Sequence, residues 1–338
     1  MGLPIVKMAT VGILPSFLKK LIYRIRGAKI GKGVKIGLFS IIESKAIDIA
    51  DEVKIAPFSF IKVRSLNLGK RVKIGSMVAI ETGKVHIGDD TQIMEQTVVG
   101  GMLTPRSSLT VGKRVKIFPY CFINPTEPVS IGNDVGVGGS TYIFTHGSWQ
   151  SILEGFPIAF GEVIIEDGVW LPWRVFILPN VKIGQQATIG AGSVIIKSIP
   201  AHCLAAGVPA KVIRTENSTN TLSLDQKMQI FKKIIDEFKD YLIYMGYNVN
   251  VLDQSKRESY FTINLISILA VVQPYETNKA QIIVSLNKIS DDLRKYYRNN
   301  SVHWFDLDSL ETIYTKIKQW VLIKDFLSRY GIRFNRLD

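Results

Sequence analysis

An aliphatic residue returns at about every sixth position through much of this chain. A helix would repeat its apolar side about every 3.6 residues and a half-buried strand every second residue, so neither explains the period. A solenoid does, if each hexad forms one short strand and one corner and stacks its aliphatic residue on the next coil. The predicted inward positions are Ile30, Ile36, Ile42, Ile49, Ile55, Ile61, Leu68, Ile74, Ile80, Ile87, Ile93, Val99, Val111, Ile117, Ile123, Ile131, Val137, Ile143, Ile165, Leu171, Ile177, Ile183, Ile189 and Ile195.

Two longer interruptions break this period, at residues 100–110 and 144–164. The second begins just before His146, which makes this histidine the most conspicuous polar residue of the repeat region. Glycine often follows the inward aliphatic residue, where a side chain at the corner would crowd the neighbouring backbone.

Three motifs give the repeat region a family likeness. The runs IGNDVGVGGSTYIFTH, VIIEDGVWL and GVPAKVIR occur in this order. With the hexads they resemble the hexapeptide-repeat acyltransferases, in particular sugar O-acetyltransferases and the maltose, streptogramin and chloramphenicol acetyltransferases. The resemblance covers residues 28–214 and implies a mainly β fold, a left-handed parallel β-helix. It also implies a homotrimer, with cofactor grooves between neighbouring subunits.

The resemblance implies that His146 is a general base. It would take a proton from an acceptor hydroxyl or amine while that atom attacks the thioester of acyl-CoA, and histidine has an ordinary pKa suited to this task. Asn124, one coil earlier, lies roughly where maltose acetyltransferase-like proteins have an asparagine that stabilises the tetrahedral intermediate. Glu154 and Glu127 are candidates for orienting the imidazole. The remaining histidines are expected to be structural or exposed: His86, His202 and His303.

The expected co-substrate is acetyl-CoA, with no metal. In the family, small corner residues let the pantetheine arm approach the backbone, and the matching positions are Gly190, Ala191 and Gly192. Positive charge for the CoA phosphates would come from Lys197, Lys211 and Arg214.

One stretch departs from the family pattern. Pro172, Trp173 and Arg174 stand where small residues usually line the groove, so Trp173 is expected to stack on the ligand or to reshape the acyl pocket. In the loop after His146, Trp149, Glu154, Phe156 and Phe160 suit a sugar platform, while the aromatic residues could equally anchor the loop to an adjacent subunit.

The N-terminal segment, residues 1–27, contains a predicted basic amphipathic helix. Phe17, Leu18, Leu21, Ile22 and Ile25 form its apolar face, and Lys19, Lys20, Arg24 and Arg26 occupy the rest. Such a helix usually caps a solenoid and buries its apolar face, although residues 16–26 could instead lie on an anionic membrane. The sequence shows no membrane span or secretion signal, and the isolated Cys121 and Cys203 favour a reducing compartment. The protein is therefore expected in the cytoplasm, either free or at the inner face of the membrane.

Residues 215–338 are predicted to form an α+β accessory domain after a polar linker. Ser223 and Gln226 mark a helix start, YFTINLISILAVV and AQIIVSL are predicted as strands, and the run from Leu310 to Gly331 is predicted as a final helix. No catalytic motif stands out there, so its expected role is packing or oligomer geometry, with acceptor recognition as the alternative.

The whole pattern predicts acetyl transfer to a sugar hydroxyl in surface polysaccharide or lipopolysaccharide synthesis. The net charge of +13 suits phosphorylated substrates and does not require nucleic acid. N-acetylation of an amino nucleotide sugar, acyl transfer from acyl carrier protein and a non-catalytic scaffold are the alternatives. A γ-type carbonic anhydrase would need a zinc-binding histidine pair that the sequence lacks.

Overall fold

The computed structural model describes residues 5–215 and 222–337. The chain divides into two compact units between residues 219 and 220. The predicted fold class is confirmed: the first unit is a parallel β-helix that follows short helices, and the second is α+β. The predicted polar linker falls largely on residues 216–221, which lie outside the described residues.

The β-helix is a prism whose coils each cross three faces. The first face contains Lys29–Ile30, Ser108–Val111, Val129–Ile131, Val163–Ile165 and Lys182–Ile183. The second contains Lys35–Ile36, Lys54–Ile55, Lys73–Ile74, Gln92–Ile93, Lys116–Ile117, Gly136–Val137, Trp170–Leu171, Thr188–Ile189 and Leu204–Gly207, and Ala210–Arg214 pairs antiparallel with the last. The third contains Val98–Gly100, Phe122–Asn124, Tyr142–Phe144, Phe176–Ile177 and Val194–Ile195. Three long strands run from the third face onto the first: Ile41–Ile49, Phe60–Leu68 and Ala79–Ile87.

The interior of the prism is the predicted aliphatic ladder. All the predicted inward positions are buried except Ile30 at the open end, which is half-buried against the same core. Each such side chain contributes about 1.5–3 kcal/mol relative to full exposure. Cys121 and Cys203 are buried in this core as free thiols, and burial raises the pKa of Cys121 to about 11.

The corner glycines allow consecutive coils to approach closely. A Cβ on Gly112 would lie 2.6 Å from the carbonyl carbon of Gly132 in the next coil, well inside contact distance. The left-handed backbone conformation of the same corners falls two residues later, on side chains such as Arg114 at φ 58° and Asp134 at φ 57°. The predicted steric role of the corner glycines is therefore confirmed.

The corner between the third and first faces changes along the prism. In the early coils it lies within the long strands, whereas residues 101–107 and 145–162 leave the prism there in later coils. Pairing resumes after the second excursion, because Val163 aligns with Val129 of the coil below. We call this corner the loop edge.

The N-terminal helix packs mainly through polar residues rather than through the predicted apolar face. Residues 5–25 contain α1, Ile5–Thr10, and α2, Ser16–Ile25. In α2 the buried side chains are Lys19 and Tyr23, while Phe17, Leu21 and Ile25 are exposed. The Tyr23 hydroxyl accepts a hydrogen bond from the Ile42 amide at 2.9 Å. The predicted apolar face therefore packs only in part: Leu18 and Ile22 are half-buried, and polar contacts to the first coil turn the rest of the face outward.

The Lys19 amine lies fully buried against backbone carbonyls. It donates to the Gly37 carbonyl oxygen at 2.5 Å and to the Ser40 carbonyl oxygen at 3.1 Å. Burial lowers the pKa of Lys19 from 10.5 to about 8. The charged form is thus less favourable in the folded chain than in the unfolded chain.

This depressed pKa predicts a pH dependence of stability. Between about pH 8 and 10.5 the unfolded chain retains the Lys19 proton and the folded chain releases it, so the free energy of unfolding should rise with pH in this window. Relative to Lys19→Met, the gain should be on the order of 2 kcal/mol. Urea unfolding of both proteins across this range measures the difference, and parallel curves for the two would contradict it.

The second unit contains one sheet of seven strands and three helices among its described residues. The strands are Val249–Gln254, Glu258–Ile263, Ile266–Val271, Ile282–Ser285, His303–Asp306, Glu311–Ile313 and Asn335–Leu337. The helices are α3, Leu224–Tyr244, α4, Asp291–Asn299, and α5, Lys318–Leu327. Ile152–Glu154 in the first unit and Ser328–Tyr330 in the second form 3-10 turns.

Local sequence signals predicted some, but not all, of the helix and strand boundaries in the second unit. Ser223 and Gln226 form the predicted capping box at the start of α3. The run predicted as one strand is instead a hairpin with Asn264 at its turn, where φ is 54°. The predicted final helix starts only at Lys318, because Glu311–Ile313 pairs with the sheet. No helix in the described parts of the chain is long and apolar enough to span a bilayer.

Candidate active site

His146 lies at the loop edge, where the chain leaves the prism. The strand Tyr142–Phe144 ends on the third face, Thr145 is buried, and His146–Gly147 then pairs antiparallel with Ala159–Phe160. The His146 and Phe160 rings are 5.6 Å apart between centroids. This short ribbon fixes the base of the loop and holds the half-buried imidazole at the prism surface.

Asn124 contacts the imidazole directly. Its strand pairs with that of the histidine, with Asn124 opposite Phe144, so the amide lies one coil below the ring. The Asn124 Nδ2 atom is 3.2 Å from His146 Nδ1. The predicted one-coil spacing therefore brings these two candidate residues together.

Thr126 determines which way the Asn124 amide points. The Thr126 backbone amide donates to Asn124 Oδ1 at 3.1 Å, and its hydroxyl lies 2.7 Å from the same oxygen. A Cβ on Gly101 would lie 2.2 Å from that oxygen, so glycine is needed for the first excursion to pass over this network. With Oδ1 engaged by Thr126, it is the Nδ2 amine of Asn124 that faces the histidine.

This orientation defines the hydrogen-bonding state of the neutral imidazole. Since Asn124 Nδ2 can only donate, His146 Nδ1 accepts and the ring proton lies on Nε2. The Nδ1 lone pair is thus occupied by the amide. Proton abstraction by either ring nitrogen requires that the amide release Nδ1, either to free its lone pair or to let the ring proton move there.

Neither glutamate suggested as an orienting group hydrogen-bonds to the ring. Glu127 forms an ion pair with Arg106 at 2.9 Å, and its backbone amide donates to the Thr145 hydroxyl at 3.0 Å. Glu154 lies in the exposed loop. Among the described residues, Asn124 supplies the hydrogen bond to His146 that the sequence left unassigned.

The loop candidates lie above the site and are uncovered within one chain. Trp149 is 96% exposed, and Glu154, Phe156 and Phe160 are exposed as well. Asn180 of the next coil donates to the Phe160 carbonyl oxygen at 3.3 Å and so supports the end of the loop. Such exposed aromatic residues are available to an acceptor or to a neighbouring copy.

Other candidates lie at the corner between the second and third faces, which we call the cofactor edge. Trp173 and Arg174 follow one second-face strand, and Gly190 and Ala191 follow that of the next coil. The Gly192 amide donates to the Trp173 carbonyl oxygen at 3.0 Å, which joins the two corners.

The aromatic surface at this edge is larger than predicted. A Cβ on Gly139 would lie 2.3 Å from the Trp173 ring, and one on Gly136 would lie 2.4 Å from the Trp170 ring, so each indole needs a glycine beneath it. Phe118 is 6.4 Å from Trp170 and 6.5 Å from Trp173 between ring centroids. The sequence did not single out Phe118 or Trp170, although each neighbours an inward aliphatic residue, Trp170 in the same coil as Trp173 and Phe118 two coils below.

The three predicted cations lie in two places. Lys211 is paired with Ala206 across the terminal hairpin, and Ala206 packs beside Gly190, so Lys211 lies near the cofactor edge. Arg214 follows on the same exposed strand. Lys197 instead follows a third-face strand and lies at the loop edge. The three predicted cations therefore do not form one cluster within a chain.

His146 and the cofactor edge are on opposite sides of the third face. The third-face strands begin at the cofactor edge and end at the loop edge, where His146 lies. One chain therefore does not bring the predicted base and the predicted cofactor residues together.

The third face between these edges is apolar on its outer side. Ile123, Ile143 and Ile177 point inward and are fully buried, so the preceding residue of each strand points outward. The outward column is Ile41, Phe60, Ala79, Val98, Phe122, Tyr142, Phe176 and Val194. Tyr142 stacks on Phe176 with 4.7 Å between centroids. An apolar residue before every third inward position is the sequence signal that was overlooked.

The chain is similar to known acetyltransferases over part of its length. A putative acetyltransferase of Schizosaccharomyces pombe is 41% identical over 107 residues, which are 30% of this chain and 51% of that protein. A putative lipopolysaccharide biosynthesis O-acetyl transferase of Escherichia coli strain K12 is 31% identical over 35% of this chain and 65% of its own length. The chain thus spans about half the length of the first relative. No protein-family model matches the chain.

One solved structure to which the chain is similar is a hexapeptide-repeat acetyltransferase from Vibrio cholerae in complex with acetyl coenzyme A. It is 21% identical, and the alignment covers 45% of this chain and 72% of that chain, with a TM-score of 0.29.

Proposed function

We propose that this chain, which resembles hexapeptide-repeat acetyltransferases, transfers an acetyl group from acetyl-CoA to a sugar hydroxyl. The acceptor would be a saccharide or nucleotide sugar used in cytoplasmic synthesis of surface polysaccharide or lipopolysaccharide. The observation that carries the proposal is the contact between Asn124 and His146 where the loop leaves the prism. An aligned general base and an amide donor are two of the groups that acyl transfer to a hydroxyl requires.

The chemical step begins when the acceptor hydroxyl reaches His146. The imidazole takes the hydroxyl proton as the oxygen attacks the thioester carbonyl carbon, and the carbonyl oxygen becomes an oxyanion. For this step the Asn124 amide leaves His146 Nδ1 as the substrates bind, and its Nδ2 hydrogens then donate to the forming oxyanion. Collapse of the intermediate breaks the carbon–sulfur bond, and the imidazolium returns the proton to the CoA sulfur.

The two-edge arrangement supports a homotrimer with sites between subunits. If the third faces surround a threefold axis, the loop edge of one copy meets the cofactor edge of the next. The later part of the outer apolar column, where Phe122 and Tyr142 are half-buried and Phe176 is exposed, then becomes an interior. In this assembly Gly190, Ala191, Trp173 and Arg174 of one copy would line the pantetheine path toward His146 of another.

Positive charge near the hairpin suits the nucleotide end of the co-substrate. Lys211 and Arg214 are exposed and lie beyond Gly190 along the cofactor edge. Phosphate groups bind well to such cations, and the exposed Trp170 and Trp173 rings are available for stacking. Lys197, on the loop edge, would reach the same groove from the neighbouring copy.

Incubation with acetyl-CoA and a panel of sugars and nucleotide sugars tests the function. Thiol release that depends on the sugar, with a product heavier by one acetyl group, is the expected result. Alkali-labile product would identify an ester and hence O-transfer, whereas an alkali-stable product from an amino sugar would identify N-transfer. Absence of thiol release with every sugar, from protein that still binds acetyl-CoA, would favour the scaffold alternative.

A further inference from the structure

The exposed stripe on α2 is the observation from which the inference starts. Phe17, Leu21 and Ile25 are 65%, 54% and 77% exposed and lie one turn apart along the helix. Lys19 and Tyr23 attach the opposite side of α2 to the first coil. The apolar stripe therefore points away from the prism, and within the described chain nothing buries it.

The charge around this stripe is of one sign. No acidic residue precedes Glu43, whereas the same stretch contains eight basic residues. Lys19 is buried and Lys7 pairs with Glu43 at 3.0 Å, so these two cations are partly or wholly engaged. On or directly after the helix, Arg24 and Arg26 are exposed and Lys20 is half-buried, and these three cations remain available beside the stripe.

We infer that α2 docks the β-helix onto an anionic lipid surface. Apolar side chains bordered by cations suit the boundary between acyl chains and negative headgroups. There the apolar side chains lose contact with water and the cations contact lipid phosphates. A soluble protein partner would have to match both features along a short helix. The inference is independent of acetyl transfer, because α2 contributes no residue to the Asn124–His146 site.

The position of α2 sets how the molecule would meet the surface. The helix contacts the first strands, through Ser16 accepting from the Ile36 amide at 2.9 Å and Arg24 donating to the Ile30 carbonyl oxygen at 2.6 Å. It thus lies at the N-terminal end of the prism. In the proposed trimer three such helices would lie at the same end, and their joint binding would exceed that of one helix by avidity.

Cosedimentation with vesicles tests the inference. The purified full chain is mixed with phosphatidylcholine vesicles, with or without phosphatidylglycerol, over a salt series. We expect binding to the anionic vesicles at low salt that falls as salt rises, and little binding to neutral vesicles. Phe17→Ser/Leu21→Ser/Ile25→Ser should lower the affinity at least about tenfold. Lys20→Gln/Arg26→Gln should lower it roughly fivefold per cation, mainly at low salt.

A matched control removes exposed apolar side chains elsewhere. Leu252→Ser/Leu265→Ser, in the second unit, should bind vesicles as the wild type does. The serine variant of α2 should retain its melting temperature and any transfer to soluble sugars, because its altered side chains are exposed. Wild type that stays in the supernatant with anionic vesicles at low salt would overturn the inference. A serine variant that pellets with the vesicles as the wild type does would also overturn it. So would a serine variant that forms a smaller assembly without lipid, because the stripe would then join copies of the chain.

Discussion

Replacing His146 with alanine is expected to lower kcat by about 10²–10⁴-fold while acetyl-CoA binds as before. The imidazole removes the acceptor proton only in the chemical step, and its side chain is half-buried at the surface, so the core should be unaffected. Steady-state kinetics measures the loss, and calorimetric titration with CoA measures binding. His86→Ala, an exposed histidine on the first face, is the control and should retain full activity.

Substitutions at Asn124 separate two contributions to the same step. If its amide donates to the oxyanion, Asn124→Ala should cost about 10²–10³-fold in kcat, and Asn124→Asp should not recover activity because a carboxylate repels the developing charge. If it only orients the imidazole, Asn124→Asp should recover much of the loss, since a carboxylate can accept from Nδ1–H. Turnover within a few fold of wild type for His146→Ala would remove the base and with it the orienting role, and the same result for Asn124→Ala would remove the oxyanion role.

Placing charge on the third face should separate the copies and abolish transfer. Tyr142→Lys/Phe176→Lys puts two ammonium groups where the proposed trimer buries a stacked aromatic pair, at a cost that no polar partner offsets. We expect a monomer in sedimentation velocity and a loss of activity beyond about 10²-fold, because His146 would lose the neighbouring cofactor edge. Thr110→Lys/Ser130→Lys, a register pair on the first face, should change neither.

Mixed trimers test the shared site more directly. His146→Ala retains an intact cofactor edge, and Lys211→Glu/Arg214→Glu retains an intact loop edge. Co-refolding equal amounts of the two inactive proteins should restore about a quarter of the sites, because each restored site combines one sound edge from each variant. If verified mixed trimers recover no activity, or if the third-face variant is an active monomer, the whole site lies within one chain.

Much of the first unit could be predicted because its core follows a simple spacing rule. Inward positions such as Ile123 and Ile143 are determined by the hexad alone, and strand register then places Asn124 one coil from His146. The orientation of the Asn124 amide was beyond prediction, since it depends on Thr126 and on the path of the first excursion over Gly101. Spacing along the chain carries no information about such side-chain contacts.

The N-terminal helix shows where periodicity fails. The spacing of its residues correctly predicted an apolar stripe beside cations, yet this spacing does not determine which side of the helix packs on the prism. Lys19 is buried because two carbonyls at the open end of the first coil accept its amine. In the second unit, Glu311–Ile313 was predicted as the start of the final helix but forms a strand, because it pairs with a strand on each side. Tertiary partners decide both cases.

The two excursions at the loop edge make the prism a modular scaffold. Coils below and above residues 145–162 are in register, with Val163 opposite Val129, although the intervening chain leaves the prism. Loop length at this edge is therefore uncoupled from the folding of the coils. A loop of another length or composition could be exchanged between Gly147 and Ala159 without redesign of the core, so, if this loop contacts the acceptor as proposed, acceptor preference can change while the Asn124–His146 pair stays in place.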